Sequence, residues 1–96
     1  MPDFIFLMHD DGVADEQPWE PYLRKLQASG CFQGGSAIGE GISARKAGSP
    51  ARVTAQLAGF IRVSAASLDA AKSLLIGNPV YEAGGTVEIR ELPRGD

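Results

Sequence analysis

Ninety-six residues, 44% of them hydrophobic and 22% charged, predict one small globular domain over residues 1–96, because two halves would each be too short to bury a core. A formal net charge of −3 with scattered basic residues argues against a nucleic-acid partner, since phosphate binding needs clustered Lys and Arg. No apolar run approaches the roughly 20 residues of a membrane span, no export signal is legible, and the single Cys31 fits a reducing compartment: a cytoplasmic protein with no membrane partner is expected.

Residues 3–9 predict a strand, short, apolar and closed by the turn signal Asp10-Asp11-Gly12. Phe4, Phe6 and Met8 share one face and Ile5 and Leu7 the other, so both faces call for cover. A polar connection over residues 12–17 leads to Pro18, which suits a first helical turn because its missing N–H has no partner there. Trp19, Tyr22, Leu23 and Leu26 fall at i, i+3, i+4 and i+7, one face of a helix. Gly30 is its expected left-handed cap, and Glu20 and Arg24 pair on its outer side.

Residues 31–38 predict a weaker strand. Gly34-Gly35 interrupts it, which signals a bulge or a close backbone approach. Cys31 is expected to be a buried small hydrophobe, being near a helix C-terminus and away from groups that make a thiolate. Residues 39–51 are polar and glycine-containing and predict a loop or a short ragged hairpin. The third strand lies within residues 52–64, with Leu57, Gly59, Ile61 and Val63 on one face and Phe60 and Arg62 on the other. Ser67 is an N-cap for a helix over residues 68–76, whose inward face is Leu68, Ala71, Leu74 and Leu75. Gly77-Asn78-Pro79 stops that helix. Residues 86–92 alternate as a half-exposed strand, and residues 93–96 are a frayed tail.

Strand, helix, strand, strand, helix, strand is the ferredoxin-like β-α-β-β-α-β order, an α+β fold in which one antiparallel sheet carries two helices on one face. The other sheet face then needs a partner, and a symmetric homodimer is the commonest solution. Phe4, Phe6 or Met8, with Phe60, are the expected interface residues.

Across nearly the whole chain these pieces resemble the YCII-related family. The resemblance is carried by the first strand ending in His9-Asp10-Asp11, the helix holding Tyr22 to Leu26, and Ala28-Ser29-Gly30 leading into Gln33-Gly34-Gly35. It continues through Leu57 to Val63, Ser67 to Ala71, Asn78-Pro79, and Ala83 to Pro93. It implies a ferredoxin-like fold that dimerises sheet to sheet as a dimeric α-β barrel. One branch of that family has a histidine at the start of the first helix and an Asp-Pro pair after the second, proposed as a catalytic dyad; another has Asp-Gly-Pro-Phe before the third strand. Here the helix start reads Pro18-Trp19-Glu20-Pro21-Tyr22, the Asp-Pro position reads Asn78-Pro79, and Asp-Gly-Pro-Phe is absent.

His9 is the one histidine and the one side chain whose ordinary titration falls near neutrality. It is the candidate proton-transfer residue, with Asp11 as the carboxylate of matching strand parity. Trp19 and Tyr22 are candidate pocket walls, and the resemblance brings Asn78 toward the same site. No metal and no cofactor are expected: His9, Asp10 and Asp11 in a row form no recognised cage, and Gly34-Gly35-Ser36 lacks a nucleotide-binding spacing. Arg62 and Arg90 stand mid-strand, either as anion holders or paired with acids such as Glu88. Two functions stay open: a binder of a small polar or aromatic ligand, and a cofactor-free lyase or isomerase that moves a proton with His9.

Overall fold

The computed structural model describes residues 1–13 and 17–94; part of the connection and the end of the tail expected above lie outside the described residues. Seven elements follow in chain order: β1 Asp3–His9, α1 Trp19–Ala28, β2 Phe32–Ala37, β3 Leu57–Ser64, α2 Leu68–Ser73, α3 Pro79–Glu82 and β4 Val87–Leu92. The strands form one sheet in the order β2-β3-β1-β4, every neighbouring pair antiparallel. This is the ferredoxin-like arrangement, with the first strand in the interior of the sheet and β2 and β4 at the edges.

One face of the sheet is the core. Phe4, Phe6 and Met8 are buried there with Ile61 and Val63 of β3, Tyr22 and Leu26 of α1, Ala71 and Leu75 of the α2 region, and Val80 of α3. This corrects the expected interface. An all-apolar strand does not announce which of its faces the helices will cover, and here the larger side chains lie beneath them. The uncovered face belongs to Ile5 and Leu7, with Phe60 and Arg62 opposite them on β3 and Glu88 and Arg90 opposite them on β4.

The caps follow local chemistry. Gly30 takes φ +78° after α1, a conformation glycine adopts without steric cost. The Ser67 hydroxyl accepts from the Ala70 N–H at 3.1 Å to open α2. Two expectations for this region change. Leu68, the first residue of α2, is 54% exposed, whereas Ala71 and Leu75 are buried and Ala70 and Leu74 pack partly buried against the core. The Asn78-Pro79 stop also starts a further helical turn, α3, with Asn78 as N-cap and proline in the first turn, where a missing N–H has no cost. Cys31 is half-exposed at the head of an edge strand, not buried. No helix among the described residues is long and apolar enough to cross a membrane.

Candidate functional site

On the helix-covered side, the end of the sheet where β1 finishes carries unusually small side chains. Met8 pairs with Gly59, Gly59 with Ala37, and Gly35 with Ile61. Of Met8, Gly59, Ala37 and Gly35, only Met8 has a long side chain, so the floor is low. Trp19 and Leu23 of α1 stand over it, with Phe32 and Val80 at the sides, leaving a cleft of about 340 Å³. That is within the roughly 300–1,000 Å³ of small-molecule sites. Gly35 has its own reason: a Cβ there would lie 2.5 Å from the Phe60 carbonyl oxygen, so the approach of β2 to β3 needs glycine. Gly34 has φ +119° at a register shift between Phe32 and Gly34, so the interruption is both a bulge and a close approach.

The cleft is apolar. Its one side-chain polar group among the described residues is the indole N–H of Trp19; Ser36, at its edge, pairs with Phe60 and so has the strand parity of the open face, and its hydroxyl donates to the Ala37 carbonyl at 2.9 Å. No Asp, Glu, His, Lys, Arg, Cys or Tyr lines it among the described residues. Trp19 packs edge-on against Tyr22, with ring centroids 6.1 Å apart, which sets the indole as the cleft wall.

His9 lies across the sheet from this cleft. Its strand parity is that of Ile5 and Leu7, and it pairs with Leu57 at a register shift in β3. Its Nε2 sits 3.6 Å from Glu88 Oε1, is buried, and has no hydrogen-bond partner. Glu88 is held below the usual carboxylate range chiefly by its bond from Arg90, whose Nη1 donates at 3.0 Å. Asp11 is engaged elsewhere. It accepts from the Thr86 N–H and the Thr86 hydroxyl, each at 2.7 Å, which joins the exit of β1 to the entrance of β4. Those two bonds, the N–H first, lower its pKa. Stability from Asp11 is therefore present above the ordinary carboxylate range and lost as pH falls through its depressed value. The carboxylate beside His9 is Glu88, which sequence reading missed as a partner; only the β1–β4 register places it there.

Tyr22 and Asn78 meet in the core. Asn78 is fully buried; its Oδ1 accepts from the Val80 and Tyr81 N–H groups at 3.0 and 3.1 Å, and its Nδ2 donates to Met8 Sδ at 3.7 Å. The Tyr22 hydroxyl donates to the Leu74 carbonyl at 2.8 Å and also meets the Asn78 side chain; burial is the main reason its pKa is raised. Asn78→Ala removes a cap and strands buried donors, so it should cost about 2 kcal/mol. Thermal unfolding at fixed protein concentration should show a drop of roughly 10 °C in Tm; a drop under about 3 °C would mean Asn78 does not hold α3.

The five residues singled out from sequence therefore fall in separate places: Trp19 on the cleft, Tyr22 and Asn78 in the core behind it, His9 on the open sheet face, and Asp11 at the strand ends. Among the described residues, no group of three or more His, Cys, Asp or Glu side chains is placed to hold a metal ion.

A solved structure of 5-chloro-2-hydroxyhydroquinone dehydrochlorinase from Burkholderia phenoliruptrix AC1100, in complex with 2,5-dihydroxybenzoquinone, superposes on this chain with a TM-score of 0.56. The match covers 97% of this chain and 95% of the other at 17% identity, a likeness of fold. A comparison with curated proteins finds no match. The sequence profile of the YCII-related domain matches residues 16–94, from just before α1 to just beyond β4. The chain belongs to the YCII-related family.

Proposed function

We propose that this single domain acts as a cytoplasmic homodimer that binds a small, flat aromatic or quinoid molecule in the cleft beneath Trp19, without transforming it. One observation carries the reading: a cleft of ligand size at the end of β1 that is walled by Trp19, Leu23 and Phe32 and holds no titratable side chain among the described residues. Such a lining favours a neutral planar guest through apolar burial and supplies no acid, base or nucleophile for chemistry. The dimer reading rests on the open sheet face, where Ile5, Leu7 and Phe60 form an apolar centre and Arg62, Glu88 and Arg90 a charged margin, the usual make-up of a protein interface.

Trp19 is the sole tryptophan, so the cleft carries its own reporter. Titration with 2,5-dimethoxybenzoquinone, the uncharged ether of the molecule bound in the dehydrochlorinase structure, should quench Trp19 emission saturably and beyond the quenching of free tryptophan. The same ligand should raise Tm by mass action while its own absorption spectrum stays constant. Absence of saturable quenching at millimolar ligand counts against the cleft, and conversion of the quinone counts against a binder.

A second reading has its own support in the buried, unbonded His9 Nε2 beside Glu88. It makes His9 the proton-transfer residue of a cofactor-free lyase or isomerase working at the open face. On that reading His9→Ala lowers turnover at least tenfold with the fold and dimer intact. On the binder reading the same change leaves Trp19 quenching as it was, because the two residues lie on opposite faces of the sheet.

A further inference from the structure

β2 and β3 are hydrogen-bonded neighbours, and strands so paired need only about 2–5 residues to join them. Residues 38–56 make this connection, with no helix or strand among them. Irregular connections of that length in a small domain are commonly lids or binding loops. The roots are pinned: the Ile38 N–H donates to the Ala58 carbonyl at 2.9 Å and the Asp10 N–H to the Gln56 carbonyl at 2.6 Å. Between the roots no hydrogen bond or ion pair among the described residues ties the segment to the body. Its bond there is internal, from Arg45 Nη1 to the Ser49 carbonyl at 3.2 Å. Every residue from 39 to 56 except Ser43 is exposed, Ile42 at 91%. A segment held by so few bonds opens and closes at little cost.

The segment leaves from the cleft and returns to it, because Ala37 before it and Ala58 after it both line that cleft. The cleft, for its part, is open. Trp19, Leu23 and Phe32 are half-exposed, and Gly35 and Ala37 of the floor are exposed. Apolar walls facing water call for cover, and an isoleucine standing in water at the same end of the sheet gains by burial against them. The reach suffices. At about 3.3 Å per residue the stretch from Ile38 to Ile42 extends about 13 Å, whereas a cube of the cleft's 340 Å³ has an edge of about 7 Å.

We infer that residues 38–56 are a lid on this cleft, closing over a bound planar guest so that Ile42 and Val53 complete the apolar wall. The inference rests on the binding reading above and adds to it how the guest is held.

The test uses the tryptic sites of the segment, Arg45, Lys46 and Arg52, which trypsin reaches while the chain there is exposed and irregular. Cleavage after Arg45 and Arg52 is followed by mass spectrometry with and without the dimethoxybenzoquinone used above, and a free peptide substrate controls for trypsin itself. Guest at saturation should slow both cuts at least tenfold. Affinity from Trp19 quenching is then compared for the natural chain, for Ile42→Asp/Val53→Asp, and for a chain with residues 40–55 replaced by Asn-Gly. Circular dichroism verifies the fold of each, and the double substitution, confined to exposed positions, keeps the test valid if the shortened chain misfolds. Both variants should bind at least tenfold more weakly, and the shortened chain should release the guest at least tenfold faster in stopped flow. Undiminished cleavage of the guest-loaded chain overturns the lid and leaves an open cleft standing, as does affinity within threefold of the natural chain in both variants. Absence of saturable quenching in the natural chain removes the cleft reading and the lid with it.

Discussion

Phe6→Ala should destabilise the folded protein by roughly 3–5 kcal/mol, the range for deleting a buried phenyl ring. Phe6 is fully buried in the middle of β1, between Ile61 of β3 and Ile89 of β4. Its ring therefore has neighbours on both flanks and helices above, and little can collapse into the space it leaves. Small domains have about 5–15 kcal/mol of stability in all, so this variant should sit close to unfolding. The next residue supplies the control. Leu7 faces the open side, half-buried, and Leu7→Ala should cost the monomer much less while weakening self-association. Urea unfolding across a range of protein concentrations separates the two, because a dimer adds concentration dependence to apparent stability. A loss below about 1 kcal/mol for Phe6→Ala would mean that the covered face of β1 is misassigned.

The contrast between Phe6 and Leu7 also marks where reading from sequence stops. Period-2 parity separates Phe4, Phe6 and Met8 from Ile5 and Leu7 in the sequence alone, and β1 spans Asp3–His9 as the pattern predicts. Parity does not say which set lies under the helices, since both are apolar; that depends on the twist and packing of the whole sheet. The helical face of α1 was legible because Trp19, Tyr22, Leu23 and Leu26 follow the 3.6-residue period and all four turn toward the core. Leu68 obeys the same period and still lies exposed at the first position of α2, since periodicity gives the direction of a helical face and not how far each end of it lies over the core. Asn78-Pro79 reads equally well as a stop and as a cap followed by proline, and the structure uses it as both.

The site was less legible than the fold, for a related reason. His9, Asp11 and Asn78 are separable by chemistry in the sequence, but their neighbours are set by register. Glu88 reaches His9 only because β4 pairs with β1 so that Leu7 faces Glu88. Asp11, with the right parity for His9, is drawn instead to Thr86 by two short hydrogen bonds. The cleft itself is made by absences: Gly35, Ala37 and Gly59 leave room where larger residues would have filled it. Small residues in a weak edge strand give little signal before the strands are paired.

Ala37→Trp should abolish ligand binding in the cleft, lowering affinity at least a hundredfold, about 2.7 kcal/mol, while leaving the fold in place. Ala37 is on β2, an edge strand, and pairs with Gly59, so a side chain introduced here extends over the low floor that the cleft depends on. An indole takes the space beneath Trp19 that a planar guest needs. The position is exposed, and substitutions at such sites usually change stability by no more than about 0.5 kcal/mol. Binding must be followed by titration calorimetry, since a second tryptophan obscures the emission of Trp19, and urea unfolding checks the fold. Retained affinity within tenfold of the natural chain would move the ligand out of the cleft. The open face around His9 and Glu88 would then be the place to look, and His9→Ala combined with Ala37→Trp would decide it.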